Sequence, residues 1–193
     1  MAKNPLKGSE RRPLPGAKAV AQADPAERLE VSVLLRRNNA GRLQERVKQL
    51  AKRETASGGL SREEFNGQFG ASGADISAVK KFAAAQGLSM VQEHAGRRTV
   101  VLSGTVAQFS SAFGVELQRF EYPGGAYRGR IGSVHLPYEL HGCVEAVLGL
   151  DNRPVAKPHL RARRLPGNVR SHADAGGATS FTPFPRRDHH RDP

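Results

Sequence analysis

Three times between residues 61 and 108 the sequence opens a helix with the same device. Ser61 is followed three residues on by Glu64, Ser72 by Asp75, and Thr105 by Gln108. A hydroxyl at such a position accepts from the third amide of the helix, and the polar side chain three residues later reaches back to the cap's own N–H. Glycines at 70, 87 and 114 end the segments, glycine being the residue that enters the left-handed conformation most readily. The helices are therefore short, and the runs between them are rich in leucine and β-branched residues, so the class is α+β.

The apolar periods agree. Ile76, Val79 and Ala83 form one helical stripe, and Val106, Phe109, Ala112 and Phe113 form another. Phe65/Phe69 and Phe109/Phe113, each four apart and followed by glycine, read as core aromatic pairs and not as an internal repeat. Upstream, LEVSVLLRR (residues 29–37) is a strand, and GRLQERVKQLAKR places Leu43, Val47 and Leu50 on one side of a helix that Ser57-Gly58-Gly59 ends. LSMVQEH and RTVVLSG flank Ala95-Gly96-Arg97 as a hairpin, and VELQRFEYPGGAYRGRIG gives two strands around Pro123-Gly124-Gly125. VEAVLGLD, residues 144–151, is the last strand. Without the inserted helices and the extra ribbon, the order is the split βαβ of a ferredoxin-like sandwich.

Charge divides the chain. Of the net +12 on 193 residues, residues 1–28 carry +3, residues 29–152 carry +3 and residues 153–193 carry +6. Residues 1–28, with prolines at 5, 13, 15 and 25 and few large apolar side chains, are expected to be a flexible arm. Residues 29–154 are the expected folded domain, and residues 155–193 a trailing region that begins as a linker, rich in Pro, Gly and Ala over 155–180. A basic nucleic-acid-binding α+β domain is the alternative. Specific readout is not expected, because RRTVVLSG, the strand that would stack bases in an RNA-recognition fold, has no aromatic residue.

Other chemistries find little support. Neither GxxxxGK[ST] nor GxGxxG occurs, so no phosphate-cradling cofactor site is expected, and no cofactor. His94, His135, His141, His159 and His172 are scattered, only His189-His190 are adjacent, and Cys143 is the sole cysteine, so no metal is expected. Ser103-Gly104-Thr105 reads as a strand-to-helix turn, Val106 standing where a nucleophilic serine would follow. No run approaches the roughly 18 to 20 apolar residues of a membrane span, and residues 1–25 lack the apolar block of a secretory signal.

FGVEL (residues 113–117), YRGR (127–130) and VLGLDNRP (147–154) stand in one co-linear series running from about residue 25 to 165. With LSREEFNGQFGAS and KKFAAAQGLSMVQEHAGRRTVVLSG, they closely resemble the activation domain of the prokumamolisins, precursors of the sedolisin (serine-carboxyl) peptidases. The resemblance implies a ferredoxin-like propeptide that assists folding of a subtilisin-like catalytic domain and inhibits it until cleaved. The catalytic Glu, Asp and Ser and the calcium site of that family belong to the following domain and map onto no residue here, so no enzyme activity of the chain's own is expected. The implied partner is a sedolisin-type catalytic domain, bound by a monomer. Arg128, Arg130, Asp151 and Arg153 are expected to make charged contacts with it, and Leu160, Arg161, Arg163 and Arg164 to form the processing stretch. TSFTP (179–183) is similar to the start of a mature sedolisin, after which FPRRDHHRDP departs from the pattern, so a truncated precursor and a free-standing propeptide both remain open. The family points to an extracellular setting.

Overall fold

Leu29, Val31, Val33 and Leu35 alternate with Glu30, Ser32 and Leu34, and this two-residue period decides the centre of the molecule. The computed structural model describes residues 3–52 and 59–154, all within one compact unit, Met1–Val155. Along them run β1 (Lys3–Pro5), β2 (Lys18–Gln22), β3 (Arg28–Leu35), α1 (Ala40–Ala51), α2 (Arg62–Phe69), α3 (Gly73–Ala85), β4 (Ser89–His94) and β5 (Thr99–Thr105). There follow α4 (Val106–Phe113), β6 (Gln118–Tyr122), β7 (Gly125–Gly129), β8 (His135–Pro137), a 3-10 turn (Tyr138–Leu140) and β9 (Val144–Leu148).

The main sheet has the antiparallel order β4-β5-β3-β9. The connection from β3 to β4 and that from β5 to β9 interleave, which is the split βαβ expected from the sequence. Val31 pairs with Leu102 and Val33 with both Val100 and Val147, so one face is continuously aliphatic. On it pack α3, through Ile76, Val79 and Ala83, and α4, through Val106, Phe109, Ala112 and Phe113, all buried. The Phe113 ring lies 5.7 Å from Phe82 and 6.1 Å from Phe109. Burying one such ring stabilises the fold by roughly 2–3 kcal/mol before ordering entropy is set against it.

The capping devices form where expected, with one difference. Ser61/Glu64 and Thr105/Gln108 make reciprocal boxes. Ser72 Oγ accepts from Asp75 N at 3.0 Å, but the Asp75 carboxylate turns to Arg36 at the end of β3, receiving Nε at 2.9 Å and Nη2 at 3.1 Å. A guanidinium fork outcompetes a single amide for a carboxylate. Gly114 closes α4 in the left-handed region (φ 57°), where its N–H and that of Val115 both donate to Ser110 O. Helix α1 forms over the expected residues but buries none of them, and its stripe residues Val47 and Leu50 are exposed.

Residues 1–28 are not a free arm: among the described residues from 3 onward, they belong to the folded body. β1 pairs antiparallel with β8, Lys3 opposite Pro137, and β2 with β6, Lys18 opposite Glu121, the latter joining a three-stranded β2-β6-β7 sheet. Leu6 N donates to Val134 O at 2.7 Å, Ala23 N to Leu117 O at 3.0 Å, and both Leu6 and Ala23 are buried. The physical reason is backbone pairing: every residue of β1 and β2 is exposed, so the strands carry no apolar period to reveal them.

Candidate functional site

The motif residues Arg128, Arg130, Asp151 and Arg153 meet where the β6–β7 hairpin faces the chain leaving β9. Sheet pairing explains why. Gly129 and Arg130 end the hairpin, and Gly149 (φ 103°) turns the chain after β9 so closely past β3 that a Cβ there would lie 2.7 Å from Glu30 O. The turn delivers Asp151, Asn152 and Arg153 to β7. Asn152 Oδ1 accepts from Arg128 N at 2.6 Å and its own N donates to Arg128 O at 3.0 Å, an added rung beside the hairpin.

Each guanidinium in the cluster is engaged within the chain. Arg128 donates through Nε to Leu150 O at 3.2 Å and pairs through Nη1 with Glu27. Arg153 holds Asp151 by Nε, at 2.9 and 2.8 Å from the two carboxylate oxygens, and by Nη2, while Nη1 donates to Arg12 O at 2.6 Å. Its guanidinium also lies 5.2 Å from the ring centroid of Tyr127, whose hydroxyl accepts from Leu14 N at 3.0 Å. The Asp151 hydrogen bonds, against a smaller opposing effect of burial, hold the Arg153 pKa above its ordinary value. Arg130 is 3% exposed and donates to Ser9 O at 2.6 Å and to Gly132 O. Burial first, and then the neighbouring charge of Arg11, pull its pKa down.

The arginines thus tie residues 9–14 and 27 to the segment after β9. Sequence reasoning assigned them to contacts with another molecule; the structure brings all four residues together and shows most of their donors occupied at home, Arg130 Nε being the exception among the described residues. It passed over Tyr127, Asn152, Glu27 and Arg11. The first two stand inside the YRGR and VLGLDNRP motifs, the only signal that pointed to them. Leu160, Arg161, Arg163 and Arg164 lie outside the described residues.

The second feature of note is the face of the main sheet turned away from α3 and α4. Ser32 stands between Val101 and Leu148, and Leu34 between Thr99 and Ala146. Leu34, Val101 and Ala146 are only half-buried, Leu148 is 51% exposed, and Val91 bulges exposed from the edge strand β4. Among the described residues no group of three or more His, Cys, Asp or Glu is placed to hold a metal ion, and no helix is long and apolar enough to cross a membrane. Ser103-Gly104-Thr105 are the last residues of β5, paired with Glu30, Leu29 and Arg28, and the chain passes from Thr105, the helix cap, straight into α4 without a separate turn.

Comparison with known proteins shows the family. The family model for "Pro-kumamolisin, activation domain" matches residues 15–153. Kumamolisin of Bacillus sp. (strain MN-32) is 39% identical over 181 residues, covering 93% of this chain and 33% of that protein. Tripeptidyl-peptidase sed5 of Aspergillus fumigatus is 29% identical over 165 residues, covering 77% of this chain and 28% of its own length. The chain therefore spans about a third of the length of these relatives.

Proposed function

The chain belongs to the Pro-kumamolisin activation domain family, and from that premise we propose that it serves as the folding template and inhibitor of a sedolisin-type peptidase catalytic domain. The observation that carries the reading is the open sheet face. Three adjacent antiparallel strands, β5, β3 and β9, present Leu34, Val101, Ala146 and Leu148 with serine and threonine between them, a half-apolar surface backed by a helix layer. Burying such a face on a nascent catalytic domain removes apolar surface from water on both partners, which supplies a template without chemistry.

Inhibition follows from the exit of the chain. Beyond Asp151 to Arg153, residues 155–180 reach at most about 90 Å when extended, ample to lay a segment across the partner's cleft. Arg128, Arg130, Asp151 and Arg153 serve the partner by fixing the direction of that exit. Cleavage within Leu160, Arg161, Arg163 and Arg164 severs inhibitor from enzyme. The chain itself performs no peptide hydrolysis, and it binds as a monomer.

The test is refolding. A denatured sedolisin-type catalytic domain regains activity faster, or in higher yield, when renatured with the chain and then released from it by proteolysis. The Val101→Glu/Leu148→Glu variant, with an unchanged circular-dichroism spectrum, loses that effect. Equal assistance by wild type and variant would remove the open face from the proposal.

A further inference from the structure

A small cavity of about 180 Å³ opens between Arg11, Arg130, Asp151 and Arg153, floored by the chain at Gly149 and Leu150. We propose that it is a binding site for a single oxyanion group, a carboxylate or a phosphate.

The charges around it do not balance. Arg153 and Asp151 form a closed pair through three hydrogen bonds and contribute little net charge. Arg11 and Arg130 remain. Among the described residues neither has a carboxylate within ion-pair distance: the Arg11 guanidinium donates to its neighbour's carbonyl, Glu10 O at 3.2 Å, and that of Arg130 to the carbonyls of Ser9 and Gly132. Asp151 and Glu10 favour the charged form of Arg130, but burial and Arg11, the two largest effects, prevail over them.

Arg130 carries the argument furthest. Its side chain is buried with the residue 3% exposed, and among the described residues its Nε has no acceptor. Buried polar groups in folded proteins are satisfied almost without exception, and a buried cation lacking an anion is the costliest kind to leave. Burial and the like charges of Arg11 and Arg153 depress its pKa, the direction an anion in the cavity would reverse. Guanidinium donors are the groups that fit planar carboxylate and tetrahedral phosphate oxygens. Size selects the ligand: the space is several times the roughly 30 Å³ of one water and smaller than the roughly 300 Å³ at which small-molecule pockets begin. One oxyanion group fits; a nucleotide does not.

The experiment follows the Arg130 Nε–H signal in the ¹H–¹⁵N spectrum of the whole chain. Sodium phosphate and, separately, sodium acetate are titrated at ionic strength held constant with sodium chloride. The expected result is a saturable shift of that signal with phosphate, acetate or both, and none when chloride alone is varied. Saturation by acetate points to a carboxylate ligand such as an Asp or Glu side chain of a docking protein; saturation by phosphate alone points to a phosphate ligand. Arg11→Ala removes an exposed side chain and leaves Arg130 on its carbonyls, so the fold is retained. It should raise the half-saturation concentration about fivefold, the loss of one exposed charge-assisted contact. A linear, non-saturating response to both anions, or identical titrations for wild type and Arg11→Ala, would overturn the site.

Discussion

The guanidinium of Arg153 lies over the ring of Tyr127 while the Tyr127 hydroxyl accepts from the backbone N–H of Leu14, so one aromatic side chain joins the last described turn of the chain to its first residues. Phe120 stacks against the same ring at 5.2 Å. The segment leaving β9 is consequently anchored on both the hairpin and the N-terminal residues, and its direction is a property of the fold.

Arg153→Ala should therefore cost stability, not merely surface charge. It strips Asp151, itself largely buried, of its guanidinium and removes the donor to Arg12 O. The expected loss is about 2 kcal/mol in urea unfolding, with less than half recovered by Arg153→Lys, because an ammonium cannot reproduce the fork. Equal stability of Arg153→Lys and wild type would contradict the geometry.

Gly149→Ala tests the turn that brings Asp151 to β7. At φ 103° an L side chain is strained, and the added Cβ would meet Glu30 O at 2.7 Å. About 2 kcal/mol of destabilisation is expected by the same measurement. A change within error would mean that the turn relaxes freely.

Leu6→Ala separates an ordered N-terminal segment from a loose arm. Leu6 is buried and its amide is bound to Val134 O. Truncation should cost about 2 kcal/mol or more. In an arm free of the core it would cost nothing.

Acid sensitivity has a local source at α2. The Glu64 carboxylate accepts from Ser61 N at 2.8 Å, and this backbone hydrogen bond is the first cause of a pKa below its ordinary value. A carboxyl group whose pKa is depressed by folding contributes stability above its unfolded value, and that contribution fades as pH falls through the folded one. Glu64→Gln keeps the box but does not titrate. The fall of the urea midpoint between pH 5 and pH 3 should accordingly be shallower in Glu64→Gln than in wild type. Parallel curves would remove Glu64 from the acid response.

What the sequence revealed and concealed follows from how each element is held. β3, β5, α3 and α4 bury a regular stripe, and α2, with Phe69 alone buried, is marked by its capping box, so period and cap residues located them. β1 and β2 are held by backbone amides against strands roughly a hundred residues away, with every side chain in solvent, and no local pattern reports such pairing. The same holds at the arginine cluster. The motifs picked out Arg128, Arg130, Asp151 and Arg153, but the acceptors that turn the arginines inward are mainly the carbonyls of Ser9, Arg12, Gly132 and Leu150, and a carbonyl leaves no mark in a sequence. Asp75 shows the reverse case: its spacing from Ser72 announced a reciprocal cap, and a distant Arg36 claimed the carboxylate.

The most direct measurement is a titration of the purified chain into a mature sedolisin-type peptidase, following hydrolysis of a peptide substrate. The account predicts progressive loss of activity to near zero at submicromolar chain, weakened at least tenfold by Val101→Glu/Leu148→Glu. Undiminished hydrolysis at a micromolar excess of correctly folded chain would contradict it.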